Sequence, residues 1–191
     1  MPNTAPTQTE KTSLNASATP PTFMFSSIRR VSSGMYTLSM VAMGHAINPL
    51  IYKTLPYGEN DFTPVSLIAT FPQLVLVNPA VKAHTLADLM ALAKTSSPPL
   101  TYASGGNGSS QHLAGALFAH MAGLSLTHVA YKGGNPAQLD LMAGNVVMMI
   151  TQPNSQDLVT TGRLRALAVS SSMRSRFYPE LPTVDEAGVP G

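Results

Sequence analysis

The 191-residue sequence has no cysteine and no tryptophan, and only 10% of its residues are charged, against roughly 25% in an ordinary soluble domain. Without cysteine there is no disulfide, no thiol nucleophile and no Cys-ligated zinc or iron–sulfur centre. Carboxylates are also few: Glu10, Glu59, Asp61, Asp88, Asp140, Asp157, Glu180, Asp185 and Glu186, scattered along the chain. Little is therefore available for general acid–base catalysis. A formal net charge of +2 is too small to mark a nucleic-acid binder. Residues 31–52 carry no acid, lysine or arginine, but Gly34, Gly44, His45, Asn48 and Pro49 interrupt them. That argues against a spanning helix. A signal-peptide reading would rest on Arg29-Arg30 followed by semi-apolar Met35–Met43, with a start such as Met24.

What is present is a chain that is 44% hydrophobic, enough to build a core. Met1–Pro21 is rich in Thr, Ser, Asn, Ala and Pro and has no periodicity, so it reads as a disordered tail. Met35–Val41, Phe62–Ala69 and Leu74–Val77 are strand-like runs, and His45–Tyr52 suits a short helix. From Thr85 a regular alternation begins. Thr85 and Asp88 form a capping-box pair ahead of a helix marked by Leu86, Leu89, Met90 and Ala93. Leu100–Ala103 is a strand, Ser104–Ser110 a glycine-rich loop, and Gln111–Ala122 a helix closed by Gly123. Leu126–Tyr131 is a strand, and Asn135 and Pro136 suit the N-cap and first position of a helix ending before Gly144. Val146–Ile150 and Leu164–Val169 are further strands, Ser155–Thr161 is a short helix, and Thr183–Ala187 starts a helical turn. Short strands alternating with helices predict an α/β fold with a mainly parallel sheet. Right-handed crossovers would gather Ala103–Ser110, Tyr131–Asn135, Thr151–Ser155 and Ser170–Ser172 at one sheet edge, where ligands bind in such folds.

The glycine-rich loop carries the chemistry. Strand, turn and helix start present unpaired N–H groups and a positive dipole end, suited to a carboxylate or phosphate. A plain capped βα turn would look the same on pattern alone. No lysine follows the last glycine, so it is not a phosphate-binding Walker loop, and the dinucleotide glycine order is missing. His112 lies on the first helical turn without a nearby acid, as a residue fixing the loop would. Neither His120 nor His128 shares a metal-ligand spacing with it. A Ser/His hydrolase built from Ser109 or Ser110 with His112 is conceivable, but neighbouring helix-start positions rarely give the triad geometry, and no G-x-S-x-G elbow occurs. Lys132, in the second loop, could reach an anion or simply be solvated. The methionines, among them Met40, Met43, Met90, Met121, Met142, Met148 and Met149, read as core filler.

From Met35 to Gly191 a series of ordered motifs resembles the Bug (Bordetella uptake gene) family, solute-binding proteins of tripartite tricarboxylate transporters. They include His45-Ala46-Ile47-Asn48-Pro49, Asp61-Phe62-Thr63-Pro64-Val65, Tyr102-Ala103-Ser104-Gly105-Gly106-Asn107-Gly108-Ser109-Ser110-Gln111-His112-Leu113, Tyr131-Lys132-Gly133 and Leu181-Pro182-Thr183-Val184. The resemblance implies a periplasmic-binding-protein-like fold (type II, Venus-flytrap). It also implies a non-catalytic periplasmic receptor that binds a small carboxylate, with no cofactor or metal, and hands it to a membrane permease. The implied ligand-binding residues are Ser104, Gly105, Gly106, Asn107, Gly108, Ser109 and Ser110, supported by His112, with Tyr131, Lys132 and Gly133 across the edge. Thr151 stands where family members often carry an Asp. Against the family pattern the opening Pro-Gly-Gly jaw and the return after Gly191 are missing, which implies a form truncated at both ends, with ligand binding expected to be weak or absent because a flytrap needs two jaws to desolvate its anion. The expected division is an atypical N-terminal segment (residues 1–34), a partial first lobe (35–78), a complete parallel-sheet second lobe (79–171) and a return segment (172–191). Two further readings stay open: the small hydrolase, and a fragment that self-associates through an incomplete lobe.

Overall fold

A computed structural model describes residues 41, 43–58, 61–152 and 156–190. The expectations for residues 1–34 and for a strand over Met35–Val41 lie outside the described residues, Val41 excepted. Among the described residues ten elements follow in order: α1 (Gly44–Ile51), β1 (Leu74–Val77), α2 (Leu86–Thr95), β2 (Leu100–Ser104), α3 (Ser110–Met121), β3 (Leu126–Ala130), α4 (Gly134–Ala143), β4 (Met148–Thr151), α5 (Gln156–Thr160) and β5 (Arg165–Val169). Among the described residues no helix is long and apolar enough to cross a membrane.

The five strands form one sheet in the order β3-β2-β4-β1-β5. β2 runs parallel to β3 and β4, whereas β1 is antiparallel to both β4 and β5. The sheet is therefore mixed: the expected parallel set is present, with one reversed strand inside it. The expected boundary after residue 78 does not separate β1 from the later strands, because Val75 pairs with Ile150 on one side and Ala168 on the other. The sequence Leu74-Val75-Leu76-Val77 is apolar at every position, and all four residues are buried. A strand covered on both faces needs such a run.

Side-chain alternation on the strands makes two cores. Val75, Val77, Met148, Ile150 and Tyr102 pack with Leu86 and Leu89 of α2 and Phe118 of α3. Leu74, Leu76, Ala103, Met149 and Val169 pack on the other face with Ala137 and Leu141 of α4. The result is a three-layer α/β/α arrangement. The methionines split: Met148 and Met149 are fully buried core, Met90 and Met142 pack at its margin, and Met43 and Met121 are exposed.

Local signals explain the helix ends. Thr85 and Asp88 form the anticipated capping box, and the hydrogen bonds that Asp88 accepts from His84 and Thr85 hold its carboxyl below the usual range. Gly144 stops α4 at φ +81°, a conformation open to glycine at little cost. The anticipated cap of α4 is displaced, however. Gly133, at φ +116°, takes the N-cap position instead of Asn135, so Pro136 falls later in the first turn, where its missing N–H is still harmless. Phe62–Ala69 forms no strand, since no described strand pairs with it and Val65, Leu67 and Ile68 are largely exposed. Thr183–Ala187 makes the expected single helical turn, closed by Ala187 N–H donating to the Thr183 carbonyl at 3.0 Å, and goes no further. The segment expected to return towards another lobe packs on this sheet: Thr183 bridges to Val169, and Tyr178 and Val189 are buried in the two cores.

Candidate functional site

Four strands point the same way, so the loops after β2, β3, β4 and β5 share one rim, as the crossover argument expects. The reversed β1 starts at that rim. There the Gln73 N–H donates to Ser170 Oγ at 2.8 Å, and the Ser170 N–H donates to the Gln73 carbonyl at 2.8 Å. The β2–α3 loop is tied to its neighbour by Gly133 N–H donating to Gly105 O at 3.1 Å.

An account of the loop's backbone donors separates scaffold from open positions. Gly105 N–H donates to Gln111 Oε1 at 2.7 Å, Gly106 N–H to Ser104 Oγ at 3.1 Å, and Gly108 N–H to His112 Nδ1 at 3.1 Å. Ser109 N–H donates to Gly106 O, and Ser109 Oγ accepts from His112 N–H as the α3 N-cap. Among the described residues no acceptor reaches the N–H groups of Asn107, Ser110 or Gln111. These three donors, with the α3 dipole behind them, are the open part of the loop.

Beneath the loop lies a ring stack. Tyr102 and His128 are register partners on β2 and β3, and their rings stack at 4.9 Å. His128 in turn stacks on His112 at 4.0 Å. His128 Nε2 lies 2.6 Å from Ser104 Oγ, the hydroxyl of a fully buried residue. Burial pushes both imidazoles below the ordinary value, and the neighbouring His112 lowers His128 further. Neutral rings suit the geometry, because His112 Nδ1 must keep a lone pair to accept from Gly108.

The other anticipated residues fall into place unequally. Thr151 is buried and its Oγ accepts from Gln111 Nε2 at 2.9 Å. Lys132 is exposed. Tyr131 directs its hydroxyl to Asp140 Oδ2 on α4 at 2.7 Å and not into the rim. Burial, then that hydrogen bond, pushes the Tyr131 phenol up to about 12. The carboxyl of Asp140 is held low by the same hydrogen bond and by one from Asn145. No hydrogen bond joins the His112 ring to Ser109 or Ser110, so the hydrolase arrangement has no nucleophile–base pair there. His45, isolated in the sequence, instead joins a ring cluster with Tyr57 and Phe62. Two rim residues escaped the sequence reading, Gln111 and His128. A glutamine in the first helical turn after a glycine-rich loop can reach back to the loop amides. A histidine with the period-2 phase of its strand can meet Tyr102 once the register is known.

The model of the tripartite tricarboxylate transporter family receptor matches residues 15–191. The chain belongs to that family. It is 38% identical over 167 residues to a UPF0065 protein from the tcbD-tcbE intergenic region of Pseudomonas sp. (strain P51), covering 86% of this chain and 50% of the relative. Protein BugT of Bordetella pertussis is 36% identical over 152 residues, covering 78% of this chain and 45% of BugT. The chain spans about half the length of the curated relatives it matches. Among solved structures, R. palustris Rpa4515 with adipate superposes with a TM-score of 0.69 at 39% identity, covering 73% of this chain and 48% of that one. MatC from Rhodopseudomonas palustris with bound malate gives 0.68 at 29%, covering 76% and 50%. The Bug-family resemblance and the periplasmic-binding-protein fold class stand on these matches.

Proposed function

We propose that this receptor-family chain binds a small carboxylate at the rim built around the β2–α3 loop, for uptake by a tripartite transporter. The observation that carries the reading is the set of open N–H donors at Asn107, Ser110 and Gln111, the last two in the first turn of α3. Such an array stabilises an anion without a formal cation. Lys132 adds an exposed positive charge on the adjoining loop. The adipate and malate held by two related structures support a small dicarboxylate as ligand. Ser104, Gly105, Gly106, Gly108, Ser109 and His112 shape the loop, and Ser110 and Asn107 meet the ligand. The receptor works without catalysis, in the periplasm, and its partner is a membrane permease. Isothermal titration with adipate, malate, a tricarboxylate and acidic amino acids tests the reading. Saturable binding to at least one of them is expected, and no heat with any of them overturns it.

A second reading has its own observation. Leu50, Val65, Leu67, Ile68 and Phe71 are all more than 60% exposed, a dense group of bare apolar side chains for one short region. Self-association through this segment predicts a dimer or larger species in light scattering that Leu67→Asp with Ile68→Asp dissociates. A wild-type monomer at all concentrations refutes it.

A further inference from the structure

Gln111 joins two of the rim's strand ends through one side chain. Its Oε1 accepts the Gly105 N–H at 2.7 Å, and its Nε2 donates to Thr151 Oγ at 2.9 Å. The amide cannot turn over without facing one N–H with another, so its polarity is fixed. The same carboxamide lies close against two glycines. Neither Gly105 nor Gly134 has a positive φ, so backbone conformation does not demand glycine at either. A side chain at either position would crowd this carboxamide. A Cβ at residue 105 would lie 2.8 Å from Gln111 Oε1 and 3.1 Å from Gly134 N, and a Cβ at residue 134 would lie 3.1 Å from Gln111 Nε2.

We propose that the Gln111 carboxamide is the positioning group of the rim, tying the loop after β2 to the end of β4 at Thr151, while Gly133 N–H links the loop after β3 to the same Gly105. The proposal rests on the carboxylate-receptor reading for the purpose of that surface. The linkage itself is a property of the free protein. Preorganisation of this kind raises affinity by removing the cost of ordering loops on binding.

The test uses the full chain. Gln111→Met keeps the volume and removes both hydrogen bonds, whereas Gln111→Glu keeps an acceptor for Gly105 N–H and lets the Thr151 hydroxyl donate in return. Amide exchange followed by NMR, without ligand, is expected to quicken at Gly105 by about 10-fold or more in Gln111→Met, with β1 amides unchanged, and to recover in Gln111→Glu. A role in space-filling alone predicts no change in Gly105 protection in Gln111→Met, and that result overturns the proposal. Titration with adipate and malate adds a second arm. Gln111→Met and Thr151→Val are each expected to weaken binding of the accepted probe by about 10-fold, and the double variant little more than either single one. Additive losses overturn the linkage. If the wild type binds neither adipate nor malate, the exchange arm alone decides the proposal, and the carboxylate reading is judged on the full ligand panel.

Discussion

Acidification is expected to loosen this fold through two histidines before its carboxylates titrate. The ordinary imidazole value is 6.5, and burial holds both His112 and His128 below it, His128 further lowered by its neighbour. In the window beneath 6.5 the unfolded chain therefore binds more protons than the folded one. Stability from these rings is complete above the unfolded value and is lost as pH falls towards the folded values. The limiting slope is about 1.4 kcal/mol per pH unit for one histidine and about 2.7 for the pair. Both rings are half-buried, so retained hydration keeps the measured slope below that limit. Structure adds a local consequence, since a protonated Nδ1 can no longer accept the Gly108 N–H. The carboxyls of Asp88, Asp140 and Glu186 are held low by their hydrogen bonds. Their contribution disappears only below about pH 4, outside the histidine window. The assay is urea unfolding at constant ionic strength between about pH 5 and about pH 8. Wild type should lose stability steadily below 6.5, and the double variant His112→Gln/His128→Gln should be nearly flat there. A wild type that is flat or gains stability on acidification refutes the reasoning, as does a double variant with an undiminished slope.

Three other outcomes follow from particular contacts. Gly115→Ala places a methyl against the Tyr102 ring, 3.2 Å from its Cζ and closer still to Cδ2 and Cε2. A gain of about 1 kcal/mol in helix propensity is outweighed by overpacking of about 1–3 kcal/mol, so thermal unfolding should show a net loss, with shifted His128 resonances. Leu76→Ala opens a cavity at a fully buried position on the interior strand β1, and chemical denaturation should register a loss of about 2–5 kcal/mol. Tyr131→Phe removes the hydroxyl that holds the Asp140 carboxyl low, so carboxyl NMR should find Asp140 titrating nearer its ordinary value.

Much of the second half of the chain was legible because its signals are local. The Thr85 cap, the loop glycines and the stops at Gly123 and Gly144 act within a turn or two of backbone. The edge that collects the loops was legible from crossover handedness. Strand direction was not, because Leu74-Val75-Leu76-Val77 reads the same whichever way it runs. Phe62–Ala69 has the composition of a strand, but a strand exists only with a ladder partner, and the sequence names none. Within the site, Tyr131 was assigned to the rim by position, whereas the pull of Asp140 on the far helix turned its hydroxyl aside. The His128–Ser104 contact depends on the β2–β3 register, a non-local quantity.

The reversed strand has a bearing on how the molecule comes to be folded. β1 lies inside the sheet, yet both of its ladder partners, β4 and β5, come late in the sequence. During synthesis Leu74–Val77 must wait, unpaired and entirely apolar, while β2, α3 and β3 can already assemble from near neighbours. Closing the sheet is thus a long-range, late event with an entropic barrier of its own. In that interval the nascent chain offers a sticky four-residue stretch to chaperones or to other nascent chains.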